Sequence, residues 1–165
     1  MMIMYVYNNI LVPYDGSQPS HVAVQHAFNI AKMDALSLTT RRVLLLYVIQ
    51  EINVPPQLRS YPLHELDKSI AKHIKEIYQI LETKAMDMLK GKSLEYVKGS
   101  GEIAISTLVL LGDPADKIIE FAEREKIDLI IMGNVGLRAV NELRALGSVS
   151  RRVSEMASCP VLLVH

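Results

Sequence analysis

Apolar residues in this chain follow two rhythms. Near-continuous runs rich in Val, Ile and Leu occupy residues 10–14, 43–49, 103–111, 129–132 and 161–164. Each has the length of a strand, and the near absence of apolar–polar alternation predicts strands covered on both faces, as in a parallel sheet. Between the runs the spacing changes to steps of three and four. Leu66, Ile70, Ile74, Ile77, Leu81, Ala85 and Met88 form one such stripe. It predicts a helix that holds one face to a core for about six turns, with Gly91 expected to end or interrupt it.

Two strand exits carry helix-start signals. Asp15-Gly16-Ser17 leaves the first run, and Ser17 can cap a helix bearing Ala23, Ala27, Ile30 and Ala31. Gly112-Asp113-Pro114 leaves the third run, with Asp113 as N-cap and Pro114 at the first helical position, ahead of Ala115, Ile118, Ile119 and Ala122. Val149, Val153 and Met156 mark a last helix that starts near Ser148. Strand and helix alternate to a fifth strand. Right-handed crossovers then demand helices on both sheet faces, so the expected architecture is a doubly wound α/β fold, read as a single domain over residues 1–165. Ligands of such sheets bind beyond the carboxyl ends of the strands, where the winding reverses. Asp15, Gly112 and Gly133 all stand at such ends.

The exit from the fourth run is the unusual one. GNVGLRAVNELRALGSVS follows DLIIM directly, with glycines at 133, 136 and 147 and serines at 148 and 150. Glycine lets backbone amides approach an anion closely and tolerates positive φ, and a helix N-terminus offers unpaired amides at its positive dipole end. Ser148 and Ser150 add hydroxyl donors. Arg138, Arg144, Arg151 and Arg152 make the segment locally positive, opposed only by Glu142. One reading is a phosphate cradle; the other is a plain strand exit and helix junction with Ser148 as cap. No lysine occurs after Lys126, so the lysine of a GxxxxGK[ST] phosphate loop is missing.

Composition narrows the class. Basic and acidic residues balance at 18 each, which gives no global electrostatic support for a nucleic-acid surface. No apolar stretch reaches the roughly 20 residues of a membrane helix, and the N-terminal MMIMYVYNNILVPY lacks the flanks of a targeting signal. The single cysteine, Cys159, precludes an internal disulfide and fits a cytoplasmic protein. The five histidines show no metal-binding spacing, and His64 and His73 read as boundary residues of the long helix. Residues 99–104 fit GxGxxA but run from a helix into a strand, the reverse of a dinucleotide site. Residues 50–63, with three prolines, read as a long loop.

These segments together resemble the universal stress protein family, whose ATP-binding members carry G-x2-G-x9-G-[ST] between the fourth strand and the last helix. The resemblance runs through ILVPYDGS, VLLLYVI, VLLGDPADKIIEFA, DLIIMGNVG and GSVSRRVSEMASCPVLLVH, in family order and over essentially the whole chain. Ten residues, not nine, separate Gly136 from Gly147, and Asn134-Val135 stands between the first two glycines. The resemblance implies a five-stranded Rossmann-like sheet of order 3-2-1-4-5. It also implies ATP or another adenine nucleotide as ligand, possible magnesium, and a homodimer formed through the last strand. On the adenosine side it implies Pro13, Asp15 and Val48, with Met132 and Gly133 beneath the nucleotide. Gly136, Gly147, Ser148, Val149 and Ser150 would hold ribose and phosphates.

Asp15 can also accept bonds from sugar hydroxyls, help hold magnesium through water, or simply order the turn before the first helix. Three functions follow as alternatives: a nucleotide-binding stress-response switch with slow or absent turnover, a same-fold interaction module without nucleotide, or a weak ATPase centred on Asp15. No residue pair in the glycine segment forms a catalytic base, and no SGGxDS, HIGH or KMSKS motif occurs.

Overall fold

A computed structural model describes residues 6–33, 40–51, 68–97, 103–136 and 146–165, with side chains from residue 72 onward in the third of these segments. Five strands, β1 (Asn9–Pro13), β2 (Arg41–Ile49), β3 (Ile103–Leu111), β4 (Leu129–Gly133) and β5 (Val161–Val164), form one sheet. Every pairing is parallel and the order is β3-β2-β1-β4-β5. The register sets Ile10 beside both Val43 and Leu129, and Ile130 beside Val161. The described helices are α1 (Gln18–Lys32), α2 (Lys68–Val97), α3 (Pro114–Arg124) and α4 (Ser148–Met156).

The sheet carries a core on each face, which is why its strands are apolar at successive positions. On one face Ile10, Val12, Val43, Leu45 and Ile131 meet Val24, Ala27 and Phe28 of α1 and Leu89 of α2. On the other, Leu11, Leu44, Leu46, Ile130 and Met132 meet Ile118 and Phe121 of α3 and Val153 of α4. Alternate residues of one strand thus enter different cores, and both must be apolar.

The helix starts follow their capping residues. The Ser17 hydroxyl accepts the Ser20 N–H at 3.3 Å, and the Asp113 carboxylate accepts the Asp116 N–H at 3.0 Å. At the other end of α1, buried Arg41 donates to the Ala31 carbonyl at 2.6 Å, closing one of the acceptors a helix C-terminus leaves open. Nothing in the residue pattern announced that role.

The long helix departs from expectation. Its apolar stripe does not face a core throughout: Ile77 and Leu81 are exposed, and the core contact is made by Ala85, Met88 and Leu89. Gly91 neither ends nor breaks α2, which continues to Val97, because a surface glycine lowers helix propensity without removing a hydrogen bond. Tyr96 explains the continuation, since its ring stacks on Phe28 with centroids 4.2 Å apart. Leu66 and the expected loop at residues 50–63 lie largely outside the described residues, as does His64.

At the carboxyl edge, three strand exits are tied back to a neighbouring strand. Tyr14 N–H donates to Leu46 O at 2.8 Å, Gly112 N–H to Ile49 O at 3.0 Å, and Asn134 N–H to Val164 O at 2.8 Å. The turns that follow therefore start from fixed points. Among the described residues no helix is long and apolar enough to cross a membrane.

Candidate functional site

The winding reverses between β1 and β4, so their carboxyl ends flank the crevice where a ligand of such a sheet is expected. Pro13 ends β1 on this edge, Val48 lies near the end of the adjacent β2, and Met132 and Gly133 end β4. The Met132 side chain is buried in the core beneath α3 and α4. Val48 is half-buried against the same core.

Asp15 sits one turn beyond β1. Its Oδ1 accepts the Ser17 N–H at 2.9 Å, an Asx turn made possible by Gly16 at φ +83°. Its Oδ2 faces Gly136: a Cβ added to that glycine would stand 2.8 Å from it. The carboxylate therefore orders the turn, one of the roles left open by the sequence, and its other oxygen borders the glycine segment. Beside it, the buried Tyr14 hydroxyl meets His21 Nδ1 at 3.1 Å.

The glycines act through space and not through backbone twist. Positive φ among the described glycines occurs at Gly16 and Gly112, not at Gly133, Gly136 or Gly147, so that part of the expectation is corrected. At Gly133 an added Cβ would lie 2.6 Å from Pro19 Cβ and 3.1 Å from the Pro19 carbonyl carbon. What Gly133 admits is the first turn of α1, packed directly on the end of β4.

Helix α4 begins at the same edge. Its N-cap is Gly147, with no side-chain cap, so Ser148 is the first helical residue and not the cap. With no side chain to close them, the first-turn amides of Ser148, Val149 and Ser150 are the donors a helix start leaves without intrahelical partners. Ser148 is exposed and Val149 half-buried. Ser150 is buried, and its hydroxyl donates to the Asn134 carbonyl at 2.6 Å, with the Gly147 carbonyl at 3.0 Å. The Ser150 hydroxyl, expected among the donors of a phosphate cradle, is thus engaged with backbone carbonyls.

Local charge is also rearranged. Arg152 reaches Asp113 at 3.4 Å and pairs with Asp116, both at the start of α3, so it tethers one helix to another instead of facing the glycine segment. Arg151 is exposed on α4, while Arg138, Arg144 and Glu142 lie outside the described residues. Met156, expected on the apolar face of α4, is exposed. Cys159 is half-buried, and burial, followed by the nearby Asp128 charge, holds its thiol pKa above the usual value, as expected for an inert thiol.

The profile of the universal stress protein family matches residues 6–165. The chain belongs to the universal stress protein family. Universal stress protein MJ0531 of Methanocaldococcus jannaschii is 36% identical over 163 residues, which cover 96% of this chain and 82% of that protein. The structure of a second protein of that organism, MJ0577, superposes with a TM-score of 0.75 at 26% identity, covering 97% of this chain and 96% of that one. A universal stress protein solved in complex with cAMP superposes with a TM-score of 0.60 at 26% identity, covering 98% of each chain. The strand order found here is the one implied by the family resemblance.

The Asn134 carbonyl was missed by reasoning from side chains. It accepts both the Gly147 N–H, at 2.8 Å, and the Ser150 hydroxyl. A backbone acceptor leaves no signature in residue type, and its role emerges only once β4 and α4 are brought together by the fold.

Proposed function

We propose that this universal stress protein binds an adenine nucleotide, ATP among the candidates, at the carboxyl edge between β1 and β4, and that occupancy biases a conformation or association read by other proteins. One observation carries the proposal. The uncapped amide end of α4 opens onto the same edge as Asp15 and Gly136, so donors for an anion and an acceptor for sugar hydroxyls share one crevice. The related protein in complex with cAMP supports an adenine nucleotide over other anions.

In this assignment Ser148 and Val149 offer amides to phosphate, together with the amide of Ser150. Gly136 and Gly147 keep the approach clear. Asp15 faces the ribose, Pro13 and Val48 border the adenosine, and Met132 and Gly133 form the floor through their backbone. Asp15 would also be the carboxylate to meet a magnesium ion arriving with ATP, since such an ion takes few protein carboxylates when phosphates and water complete its shell. A switch of this kind needs ligand affinity that differs between two states. The single cysteine supports a cytoplasmic location. The outer edge of β5, where Leu162 is 37% exposed and no charge interrupts Val161–Val164, supports a homodimer through that strand.

Thermal unfolding of nucleotide-stripped protein with ATP, ADP, AMP, cAMP and GTP tests the function. Ligand at about 100 times its Kd adds about 2.7 kcal/mol, a shift of roughly 5 to 10 °C for a chain of this size. An adenine-selective shift is expected. No shift at millimolar ligand would favour the interaction module without nucleotide.

A further inference from the structure

We propose that Ser150 is a positioning residue: its hydroxyl latches the amide end of α4 to the end of β4 and is not one of the groups that meet phosphate. The consequence for ligand affinity rests on the nucleotide site proposed above. The latch itself stands on geometry.

Ser150 is 2% exposed, and its Oγ lies 2.6 Å from the Asn134 carbonyl oxygen. A serine hydroxyl has one proton to donate. A phosphate oxygen at neutral pH is an acceptor and would need that same proton. For the hydroxyl to meet phosphate it would have to abandon Asn134 and leave a buried carbonyl with one partner fewer, which is unfavourable. The exposed Ser148 hydroxyl has no such internal bond among the described residues.

The acceptor is itself anchored. Asn134 N–H donates to Val164 O at 2.8 Å, so its residue continues the β4–β5 pairing by one step past the strand. Its carbonyl then takes the Gly147 N–H at 2.8 Å and the Ser150 hydroxyl at 2.6 Å. These two bonds join the sheet to both sides of the first turn of α4. Ser154 extends the chain by donating to the Ser150 carbonyl at 2.7 Å. The helix end is thereby referenced to the sheet edge, and its amides are held where an anion meets them without first ordering the helix. Preorganisation of this kind raises affinity by lowering the cost of fixing the site.

The test compares the nucleotide-free full chain with Ser150→Ala and Ser148→Ala by residue-resolved amide hydrogen exchange, followed by titration with AMP and with adenosine. In Ser150→Ala, exchange at the bonded amides of this end, Gly147 and Arg151, should rise roughly threefold to tenfold, the effect of one net hydrogen bond, with β1 and β2 unchanged. AMP affinity should fall by a similar factor and adenosine affinity should hold, since only phosphate uses those amides. Ser148→Ala should leave the nucleotide-free exchange unchanged. Should Ser150→Ala fail to fold, Ser150→Cys retains a weaker donor and should show a smaller rise of the same pattern. Wild-type exchange in the nucleotide-free Ser150 variant, combined with lost AMP affinity, would overturn the latch and make the hydroxyl a ligand contact. A wild-type protein that binds no nucleotide would remove the proposed function, while the exchange comparison would still decide the latch.

Discussion

Gly133 and Gly136 belong to one motif, yet the structure assigns their missing side chains to different tasks. In Gly133→Ala the new Cβ would stand 2.6 Å from Pro19 Cβ, 3.1 Å from Pro19 C and 3.2 Å from Ser20 N. Two of those neighbours are backbone atoms at the start of α1, in a turn already fixed by the Ser17 cap and the Asp15 carboxylate. Relief therefore requires α1 to move away from β4. Overpacking of this kind costs about 1–3 kcal/mol, and for a chain this long each kcal/mol lowers Tm by about 2–4 °C. The expected loss is roughly 2 to 12 °C in nucleotide-free protein. In Gly136→Ala the Cβ meets the Asp15 Oδ2 at 2.8 Å, and Gly136 is exposed with φ outside the left-handed region. A carboxylate can rotate aside, so Tm should change by less than about 2 °C while nucleotide affinity falls. Melting curves of both variants, with and without AMP, decide the matter. A Gly133→Ala protein with wild-type Tm would refute the packing argument.

Asp113→Ala removes the cap of α3 and a partner of Arg152, and should cost about 1 kcal/mol, mostly through the cap because the ion pair is exposed; Asp113→Asn should recover most of that in urea unfolding. Stability should fall at alkaline pH. Burial raises the pKa of Tyr14, Tyr96 and Cys159, with Glu95 and Asp15 adding to it at Tyr14. The unfolded chain therefore loses these protons first, near pH 8.5 for the thiol and about 10 for the phenols, and the contribution present below those values is lost as pH rises through the folded ones. Tm measured from pH 7 to 11 should decline over that range, less steeply in Tyr14→Phe; a flat profile would contradict it. Leu162→Lys, on the exposed edge of the sheet, should shift a dimer to monomer in sedimentation without lowering Tm of the monomer by more than about 2 °C.

The central strands were legible because burial on both faces forces apolar residues at successive positions, as in residues 10–12 and 43–46, and the runs at 103–111 and 161–164 coincide with the partly buried edge strands β3 and β5. Ser17 and Asp113 were legible as caps because their chemistry is local. The α2 stripe misled because periodicity reports which residues share a face, not how far along the helix a core extends; Ala85 and Leu89 reach one, while Ile77 and Leu81 do not. At the candidate site, sequence identified the glycines and serines but not their division of labour. Whether a Cβ at Gly133 meets a ligand or Pro19, and whether the Ser150 hydroxyl faces solvent or Asn134, depends on the approach of elements far apart in the chain. Arg152 likewise reads as local positive charge until α3 brings Asp113 and Asp116 against it.

The most direct test of the central claim is an amide chemical-shift titration of the isotope-labelled protein with AMP. The largest perturbations are expected at Ser148, Val149 and Ser150, with Gly147, Gly136 and Asp15 responding and the amino-terminal ends of the strands silent. Saturable perturbations centred elsewhere, or none at millimolar AMP, would show that the uncapped end of α4 is not an adenine-nucleotide site.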